Sequence, residues 1–158
     1  MRALIGERVT IYHRKKSVIL NCDIGDDCVI HAPVWIGNNV VIGARCKVQA
    51  FAFIPSGVVI GNDCFIGPHV CFTNDKHPPS KDLLMTVVED GVSIGAGAVI
   101  LPGLSIGRGA VIGAGAVVTK DVSPNVTVVC NPATIVSTRA WDSFFSPDDA
   151  RDGGHSER

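Results

Sequence analysis

The sequence predicts an all-β fold: a parallel β-helix of hexapeptide repeats with about six triangular coils, one ejected loop and a short C-terminal tail. Three observations predict it. An aliphatic or aromatic residue returns every six positions, glycine often follows it, and a small or β-branched residue lies four positions after it. A period of six belongs neither to a helix nor to a simple alternating strand, and it fits a short strand followed by a sharp turn. Three such hexads make one coil of eighteen residues.

The phased positions form an almost unbroken series. They are Ile24, Ile30, Ile36, Ile42, Val48, Ile54, Ile60, Ile66 and Phe72, then Val88, Ile94, Ile100, Ile106, Ile112 and Val118. None of these fifteen positions holds a polar residue, so chance is a poor explanation. A phased residue and the small residue two positions before it share the same parity, so both should point into the coil. We expect the glycine after the phased residue to give the backbone its freedom at the corner.

The start of the repeat is less regular. In the stretch IGERVTI, Ile5, Val9 and Ile11 keep the internal spacing of a hexad. Val18 then follows Ile11 after seven positions instead of six. The sequence therefore predicts a first coil that carries one inserted residue.

The six cysteines fit the interior of this fold better than a disulfide framework. Cys28, Cys46 and Cys64 are spaced by eighteen residues, and by its phase Cys22 also points inward. Cys71 and Cys130 do not share this phase. The inward four are expected to be small core residues. A metal cluster is not expected, because no histidine shares their phase. Six unpaired thiols are typical of a reduced, cytoplasmic protein.

The six-residue period has one large interruption, which begins in the stretch FTNDKHPPS at 72–80. From Phe72 to Val88 is sixteen residues, which is not a multiple of six, so we expect an ejected loop of about ten residues within 76–87. The β-helix is expected to cover 1–136. The segment 137–158 is expected to hold a short helix in TRAWDSFF and then a disordered, polar tail.

Composition argues against several kinds of partner. The net charge is −1 and only 18% of the residues are charged, so no basic surface for nucleic acid is expected. No apolar run approaches the roughly 18 residues of a membrane-spanning helix, and the N-terminus has no apolar stretch typical of a secretory signal. We expect a cytoplasmic protein without a nucleic-acid or membrane partner.

Three stretches together resemble a known family. They are IGPHVCFTNDKHP at 66–78, VVEDGVSIGAGAVILPGLSIG at 87–107 and IGAGAVVTKDVSPNVTVVCNPATIV at 112–136. They resemble the hexapeptide-repeat acyltransferases, which fold as left-handed β-helices. FTND in particular resembles the enzymes that acetylate the amino group of nucleotide-linked 3-amino sugars. The resemblance implies acetyl-CoA as acyl donor, no metal, and a homotrimer with its sites between subunits.

The resemblance also implies roles for residues at the break. Asn74 would hold the acceptor amine against the thioester, and Asp75 would orient the amine or accept its proton. His77 is the candidate base if the acceptor is a hydroxyl. The expected substrate contacts are Ser56, which lies one coil before Asn74, together with His69 and Lys76.

The donor site is expected after the loop, where glycine and alanine dominate. Small residues let the pantetheine arm of CoA lie against the main chain, and the resemblance implies that this contact is near Ala96 and Ala114. Lys120 is the candidate for the CoA phosphates. Asn131 and Pro132 belong to the NPATIV segment, which resembles the part of the family near the adenine.

Other functions stay open at this point. An O-acetyltransferase of a sugar or small molecule, using a histidine base, is the main alternative. A γ-type carbonic anhydrase shares the fold but needs three histidines held toward one zinc ion. A non-catalytic β-helix subunit is the remaining alternative.

Overall fold

The structure is a computed structural model that describes residues 3–80 and 82–137. It consists of short strands with one 3-10 turn at Arg14–Lys16. In chain order the strands are β1 (Leu4–Ile5), β2 (Thr10–Tyr12), β3 (Val18–Ile19), β4 (Asp23–Ile24), β5 (Val29–His31), β6 (Trp35–Ile36), β7 (Val41–Ile42), β8 (Lys47–Val48), β9 (Phe53–Ile54), β10 (Val58–Ile60), β11 (Phe65–Ile66), β12 (Cys71–Phe72), β13 (Thr86–Val88), β14 (Ser93–Ile94), β15 (Val99–Ile100), β16 (Ser105–Ile106), β17 (Val111–Ile112), β18 (Val117–Val118), β19 (Thr127–Val129) and β20 (Thr134–Ser137).

Consecutive strands lie in different sheets, and every third strand pairs in parallel. Sheet 1 has the order β1-β4-β7-β10-β13-β16, sheet 2 the order β2-β5-β8-β11-β14-β17-β19-β20, and sheet 3 the order β3-β6-β9-β12-β15-β18. The chain therefore winds through six complete triangular coils and part of a seventh. Among the described strands, only β20 is antiparallel to its neighbour, β19. The predicted fold class, a left-handed β-helix, is confirmed. Corners 1–2, 2–3 and 3–1 are named here by the sheets that they join.

The phased residues fill the inside of the prism. Ile36, Ile54 and Ile66 have no exposed surface, whereas Phe53 and Phe65, one residue before a phased position, face outward. Strand alternation explains this difference, because successive side chains of a strand point to opposite faces. Burial of each such isoleucine contributes roughly 1.5–3 kcal/mol to the hydrophobic stabilisation of the prism.

The glycines that follow the phased residues are needed for a different reason from the one predicted. Their φ angles are ordinary, and the left-handed backbone lies two residues later, for example at Arg45 (φ 58°) and Gly97 (φ 68°). A Cβ atom on Gly43 would lie 2.6 Å from the carbonyl carbon of Gly61 in the next coil. Glycine at these positions therefore allows the corners of successive coils to approach closely.

The first coil is one residue longer than the regular eighteen, since Ile5 pairs with Ile24, but it reaches this length by two extra residues at corner 2–3 and one fewer at corner 3–1. Ile19 pairs with Ile36, and Val18 pairs with Trp35 on the outer surface, where Val18 is 38% exposed. The phased residue after Ile11 is therefore Ile19. The extra residues bulge outward at corner 2–3 as the 3-10 turn.

The loop interrupts corner 3–1 between the fourth and fifth coils. Val58 pairs with Thr86, a separation of twenty-eight residues where the neighbouring pairs of sheet 1 have eighteen, so ten residues are inserted. Thr86 and Val87 belong to β13, and the Thr86 side chain is buried. The loop is consequently 76–85, two residues shorter at its end than predicted. The predicted C-terminal helix and tail, apart from residue 137, lie outside the described residues.

The cysteines lie as their phase predicts. Cys22, Cys28, Cys46 and Cys64 are buried, Cys71 is half-buried and Cys130 is exposed. Three of the buried thiols donate weak hydrogen bonds to carbonyl oxygens of the next coil at 3.0–3.2 Å; the pairs are Cys28 Sγ to Gly43 O, Cys46 Sγ to Gly61 O and Cys64 Sγ to Glu89 O. Burial raises the pKa of the Cys22 and Cys71 thiols.

We therefore expect one thiol per chain to react quickly with an aromatic disulfide reagent under native conditions. That thiol is Cys130, because the reagent requires an accessible thiolate. The buried thiols should react only at the rate of unfolding. Stopped-flow absorbance measures both phases, and Cys130→Ser should abolish the fast one. Two or more fast thiols per chain would contradict the described packing.

Within the described residues, no helix is long and apolar enough to cross a membrane.

Candidate active site

The acceptor residues predicted from FTND lie at corner 3–1, directly after β12. Asn74 is half-buried, and its Nδ2 donates to the backbone oxygen of Ser56, one coil below, at 3.0 Å. In the described part of the chain no donor contacts Asn74 Oδ1. Asn74 therefore presents a fixed amide whose oxygen is available as a hydrogen-bond acceptor.

Asp75 is occupied by the loop that follows it. Its Oδ1 accepts from the His77 backbone N–H at 3.0 Å and from Ser80 Oγ at 2.8 Å, and its Oδ2 accepts from Ser80 N–H at 2.7 Å. The hydrogen bond from the Ser80 backbone is the main cause that lowers the pKa of the Asp75 carboxyl. A carboxylate stabilised in this way is a poor proton acceptor. Its evident task in the structure is to fold the loop.

The loop then returns over the coil that follows it. Asp75 and Leu83 form an antiparallel bridge, and Leu84 N–H donates to Asn74 O at 2.8 Å. A Cβ atom on Gly103 would lie 3.1 Å from Leu84 Cδ1, so the Leu84 side chain covers corner 3–1 of the fifth coil. Lys76 and His77 are exposed in the loop.

Asp75→Ala should loosen this loop without unfolding the prism, because the three hydrogen bonds to Asp75 lie outside the core. Limited trypsin digestion should then cleave after Lys76 faster in the variant than in the wild type. Asp63→Ala is the matched control, since Asp63 is an exposed carboxylate that pairs with Arg45 at another corner. Equal cleavage of Asp75→Ala and the wild type would contradict the role of Asp75.

The same hydrogen bonds predict a pH dependence. The folded-state pKa of Asp75 is lowered, so the stabilisation is present above the ordinary aspartate pKa and is lost as the pH falls through the lowered value. The amide resonances of His77 and Ser80 should therefore keep their native chemical shifts to a pH below the ordinary range of aspartate.

The predicted donor residues lie at a different corner, corner 2–3. Ala96 and Ala114 are exposed there on successive coils, and Gly115 N–H donates to Ala96 O at 2.8 Å. Within the described residues, the N–H groups of Ala96 and Ala114 have no acceptor. Asn131 and Pro132 are exposed at the same corner, one coil further on. Lys120 is exposed at corner 3–1, so a single chain does not bring it to this column.

Side chains cap some of the equivalent N–H groups at corner 1–2: Ala44 N–H donates to Asn62 Oδ1 at 2.9 Å, and Asn62 N–H donates to Asp90 Oδ1 at 2.8 Å. Within the described part of the chain, Ala96 and Ala114, which we call the alanine column, have no such side chains beside their N–H groups. These N–H groups are therefore suited to bind the amide oxygens of an extended ligand.

A shallow groove lies beside the alanine column on sheet 2. Its volume is about 350 Å³, and Phe65, Ser93, Gly95, Val111 and Gly113 line it. The lining is mostly apolar. A flexible chain that alternates methylene and amide groups fits such a groove, because its apolar segments contact the sheet while its amides reach the open N–H groups.

His69 lies at corner 2–3, with the residues predicted to bind the acyl donor, and not in the loop. Its ring stacks on Phe51 with the ring centroids 4.7 Å apart and the planes at 9°. Both residues are exposed at corner 2–3, in the coils below Ala96. The predicted substrate contacts therefore divide: Ser56 and Lys76 accompany Asn74, whereas His69 lies across the width of sheet 3.

The sequence-based reasoning missed the outer surface of sheet 3, which separates the two corners. Its outward residues are all apolar, and we call them the apolar face; they are Val18, Trp35, Phe53, Cys71, Val99 and Val117. Trp35 and Phe53 stack with centroids 6.1 Å apart. The signal was available, because each of these residues directly precedes a phased position. An exposed apolar surface of this kind is typical of an interface.

No group of three or more His, Cys, Asp or Glu side chains is arranged to hold a metal ion in residues 3–80 and 82–137. His69 and His77 lie at different corners. The prediction that no metal is required stays a prediction.

Comparison with known proteins identifies the family. The model named Bacterial transferase hexapeptide (six repeats) matches residues 39–74 and 85–120, on either side of the loop. This chain belongs to the hexapeptide-repeat acyltransferase family. The matched residues include Asn74 and the alanine column, and the gap between the two matches contains all but the last residue of the ejected loop.

Two curated relatives of this hexapeptide-repeat protein differ in their acceptors. A galactoside O-acetyltransferase from Lactococcus lactis is 33% identical over 140 residues, which cover 78% of this chain and 65% of that protein. A 2,3,4,5-tetrahydropyridine-2,6-dicarboxylate N-acetyltransferase from Alkaliphilus metalliredigens is 48% identical over 73 residues, which cover 46% of this chain and 30% of that protein. The chain thus spans less than two thirds of either relative.

Solved structures share the fold. The acetyltransferase domain of PglB from Neisseria gonorrhoeae aligns with a TM-score of 0.67 and 22% identity over 85% of this chain and 57% of that one. A mutant of AntD, an N-acyltransferase from Bacillus cereus, aligns with a TM-score of 0.60 and 19% identity over 92% of this chain and 88% of that one.

Proposed function

We propose that this chain is an acetyl-CoA-dependent N-acetyltransferase that acts on the amino group of a nucleotide-linked amino sugar. The observation that carries the proposal is the fixed amide of Asn74, whose Nδ2 is held by Ser56 O while Oδ1 is available. Oδ1 accepts a hydrogen bond from the neutral amine and directs its lone pair at the thioester. The C–N bond forms, the C–S bond breaks, and the departing sulfur takes the proton of the amine.

The surroundings of Asn74 favour an acceptor that needs no carboxylate base. Both oxygens of Asp75 are engaged by the loop, and the pKa of its carboxyl is lowered. A neutral amine is already nucleophilic, whereas a hydroxyl requires removal of its proton during attack. In this proposal Asp75 positions the loop, and Lys76 in the loop contacts the acceptor.

The donor site in this proposal is the alanine column with its groove. The N–H groups of Ala96 and Ala114 bind the amide oxygens of pantetheine, which lies along corner 2–3. Asn131 and Pro132 contact the adenine end, because they continue the same corner toward the C-terminus. Lys120 binds the phosphates.

The separation of the two corners supports a homotrimer with sites between subunits. Within one chain, sheet 3 lies between Asn74 and the alanine column. A second copy that covers the apolar face can bring its own alanine column to Asn74 and can place Lys120 beside the bound CoA. Cyclic association of three copies covers this face on each subunit and forms three equivalent sites.

Two observations favour a second candidate, an O-acetyltransferase of a sugar or small molecule. His77 is exposed at the loop with its backbone fixed by Asp75, and the galactoside O-acetyltransferase matches most of this chain. In this alternative His77 is the base that removes the proton of the acceptor hydroxyl.

The test is an assay of CoA release from acetyl-CoA with paired acceptors. UDP- and dTDP-linked amino sugars are compared with the same compounds carrying a hydroxyl in place of the amine. We expect turnover with an amine acceptor and little effect of His77→Ala on it. Turnover of the hydroxyl acceptors alone, abolished by His77→Ala, would favour the alternative. Failure of acetyl-CoA to raise the melting temperature of the protein would instead favour a non-catalytic subunit.

A further inference from the structure

A second cavity lies on the same edge of the prism as Asn74. Its volume is about 590 Å³, and it occupies the N-terminal end of corner 3–1 beside the first strands of sheet 1. Leu4, Asn21, Asp23, Asn39 and Val41 are among the residues that line it. The chemistry proposed for Asn74 does not use this cavity.

A column of polar residues links the cavity to Asn74 along the corner. Asn21 N–H donates to Asn38 Oδ1 at 3.4 Å, and Asn74 Nδ2 donates to Ser56 O at 3.0 Å. These four residues hold equivalent places on successive coils. Since paired strands are about 4.8 Å apart, the cavity is about 10–14 Å from Asn74, a distance that an acceptor longer than one sugar ring can span.

The loop leaves corner 3–1 open on the N-terminal side of Asn74 and blocks it on the C-terminal side. Leu84 covers Gly103 on the coil that follows Asn74. Toward the N-terminus, the described residues of corner 3–1 form only the short turns of the earlier coils, with Asn38 and Asn39 exposed. An acceptor held at Asn74 therefore extends along the corner toward the cavity.

The lining of the cavity is suited to a neutral ring that bears hydroxyl groups. The Asn39 side chain has no hydrogen-bond partner within the described residues, and Asp23 is exposed, so an amide and a carboxylate are available to hydroxyls. Leu4 is 68% exposed and Val41 is 40% exposed, which gives apolar surface for the C–H faces of a ring. Among the described residues that line the cavity there is no lysine or arginine, and Asp23 repels a phosphate.

We propose that this cavity is a second acceptor subsite, which binds a neutral hydroxyl-bearing ring attached to the sugar that is acetylated at Asn74. The proposal rests on the proposed function only in requiring that the acceptor is held at Asn74. Such a ring has two chemical sources: the ribose of a nucleotide-linked sugar or a further sugar of an oligosaccharide. The Asn39 amide and the Asp23 carboxylate bind its hydroxyls.

The test compares extended and truncated acceptors in the full chain. Asn39→Gly removes the amide while tolerating the left-handed backbone at this position (φ 55°), and Asp23→Ala removes the carboxylate. Gln49→Ala, an amide removed at corner 2–3, is the matched control. The acceptors are an amino-sugar methyl glycoside, the corresponding nucleotide-linked sugar and a disaccharide that ends in the same amino sugar.

Each variant should raise the KM for one extended acceptor about tenfold, the effect expected from loss of about one strong hydrogen bond. The KM for the methyl glycoside and for acetyl-CoA should not change. The extended acceptor that is affected identifies the source of the ring. Equal effects on extended and truncated acceptors, or no effect on either, would overturn the subsite.

The outcome is separable from the proposed function. If the protein acetylates hydroxyls and not amines, the same comparison applies to the hydroxyl analogues of these acceptors. Calorimetric titration with the three ligands measures the same discrimination without turnover, and identical Kd values for wild type and variants would again overturn the subsite.

Discussion

Asn74→Ala should lower kcat for the amine acceptor by about a hundredfold, because it removes the group that aligns the amine with the thioester. The substitution also removes the hydrogen bond from Asn74 Nδ2 to Ser56 O. That bond is partly exposed to solvent, so the melting temperature should change little. The KM for acetyl-CoA should stay constant, because the alanine column is at another corner. Steady-state assays with varied acceptor and varied donor measure these effects.

Two variants make this expectation specific. Asn38→Ala removes the equivalent amide two coils below and should leave kcat unchanged. Asn74→Asp keeps the size of the side chain but loses the Nδ2 donor to Ser56 O, so its carboxylate should be held less firmly and kcat should recover only in part. Equal kcat values for Asn74→Ala and the wild type would exclude a role in aligning the acceptor.

The register of the fold could be predicted from the sequence wherever the period holds. Ile54 and Ile60 are six residues apart and occupy the inside of two adjacent sheets, as their spacing requires. The register was missed where the period fails. Either Val18 or Ile19 could be the inward residue, because both are aliphatic. The path of the 3-10 turn decides between them, and the sequence does not determine that path.

The sequence also determines the corner at which each candidate residue lies, provided that the length of the inserted loop is known. Asn74 and Ala96 are twenty-two residues apart, and ten of these are the insertion, which leaves twelve, or two hexads. Two hexads lead to a different corner of the triangle, so donor and acceptor groups do not meet within one chain. The three hydrogen bonds to Asp75 were not predictable, because they depend on the path of a loop without a repeat.

Ile66→Ala should lower the free energy of unfolding by about 2–5 kcal/mol, the range for deletion of a fully buried aliphatic side chain. Ile66 has no exposed surface and lies in β11, between β8 and β14 of sheet 2. Because only three short strands surround the interior at each level, the coil has little freedom to collapse around the cavity. Urea denaturation measures the change.

The adjacent residue provides the matched control. Phe65→Ala removes a larger side chain from the same strand, but Phe65 faces outward and is 37% exposed, so the expected cost is about 1 kcal/mol. The smaller side chain should therefore have the larger effect, because inward parity and not side-chain size decides which residue supports the prism. Equal costs for the two variants, or a larger cost for Phe65→Ala, would contradict this assignment of inward and outward residues.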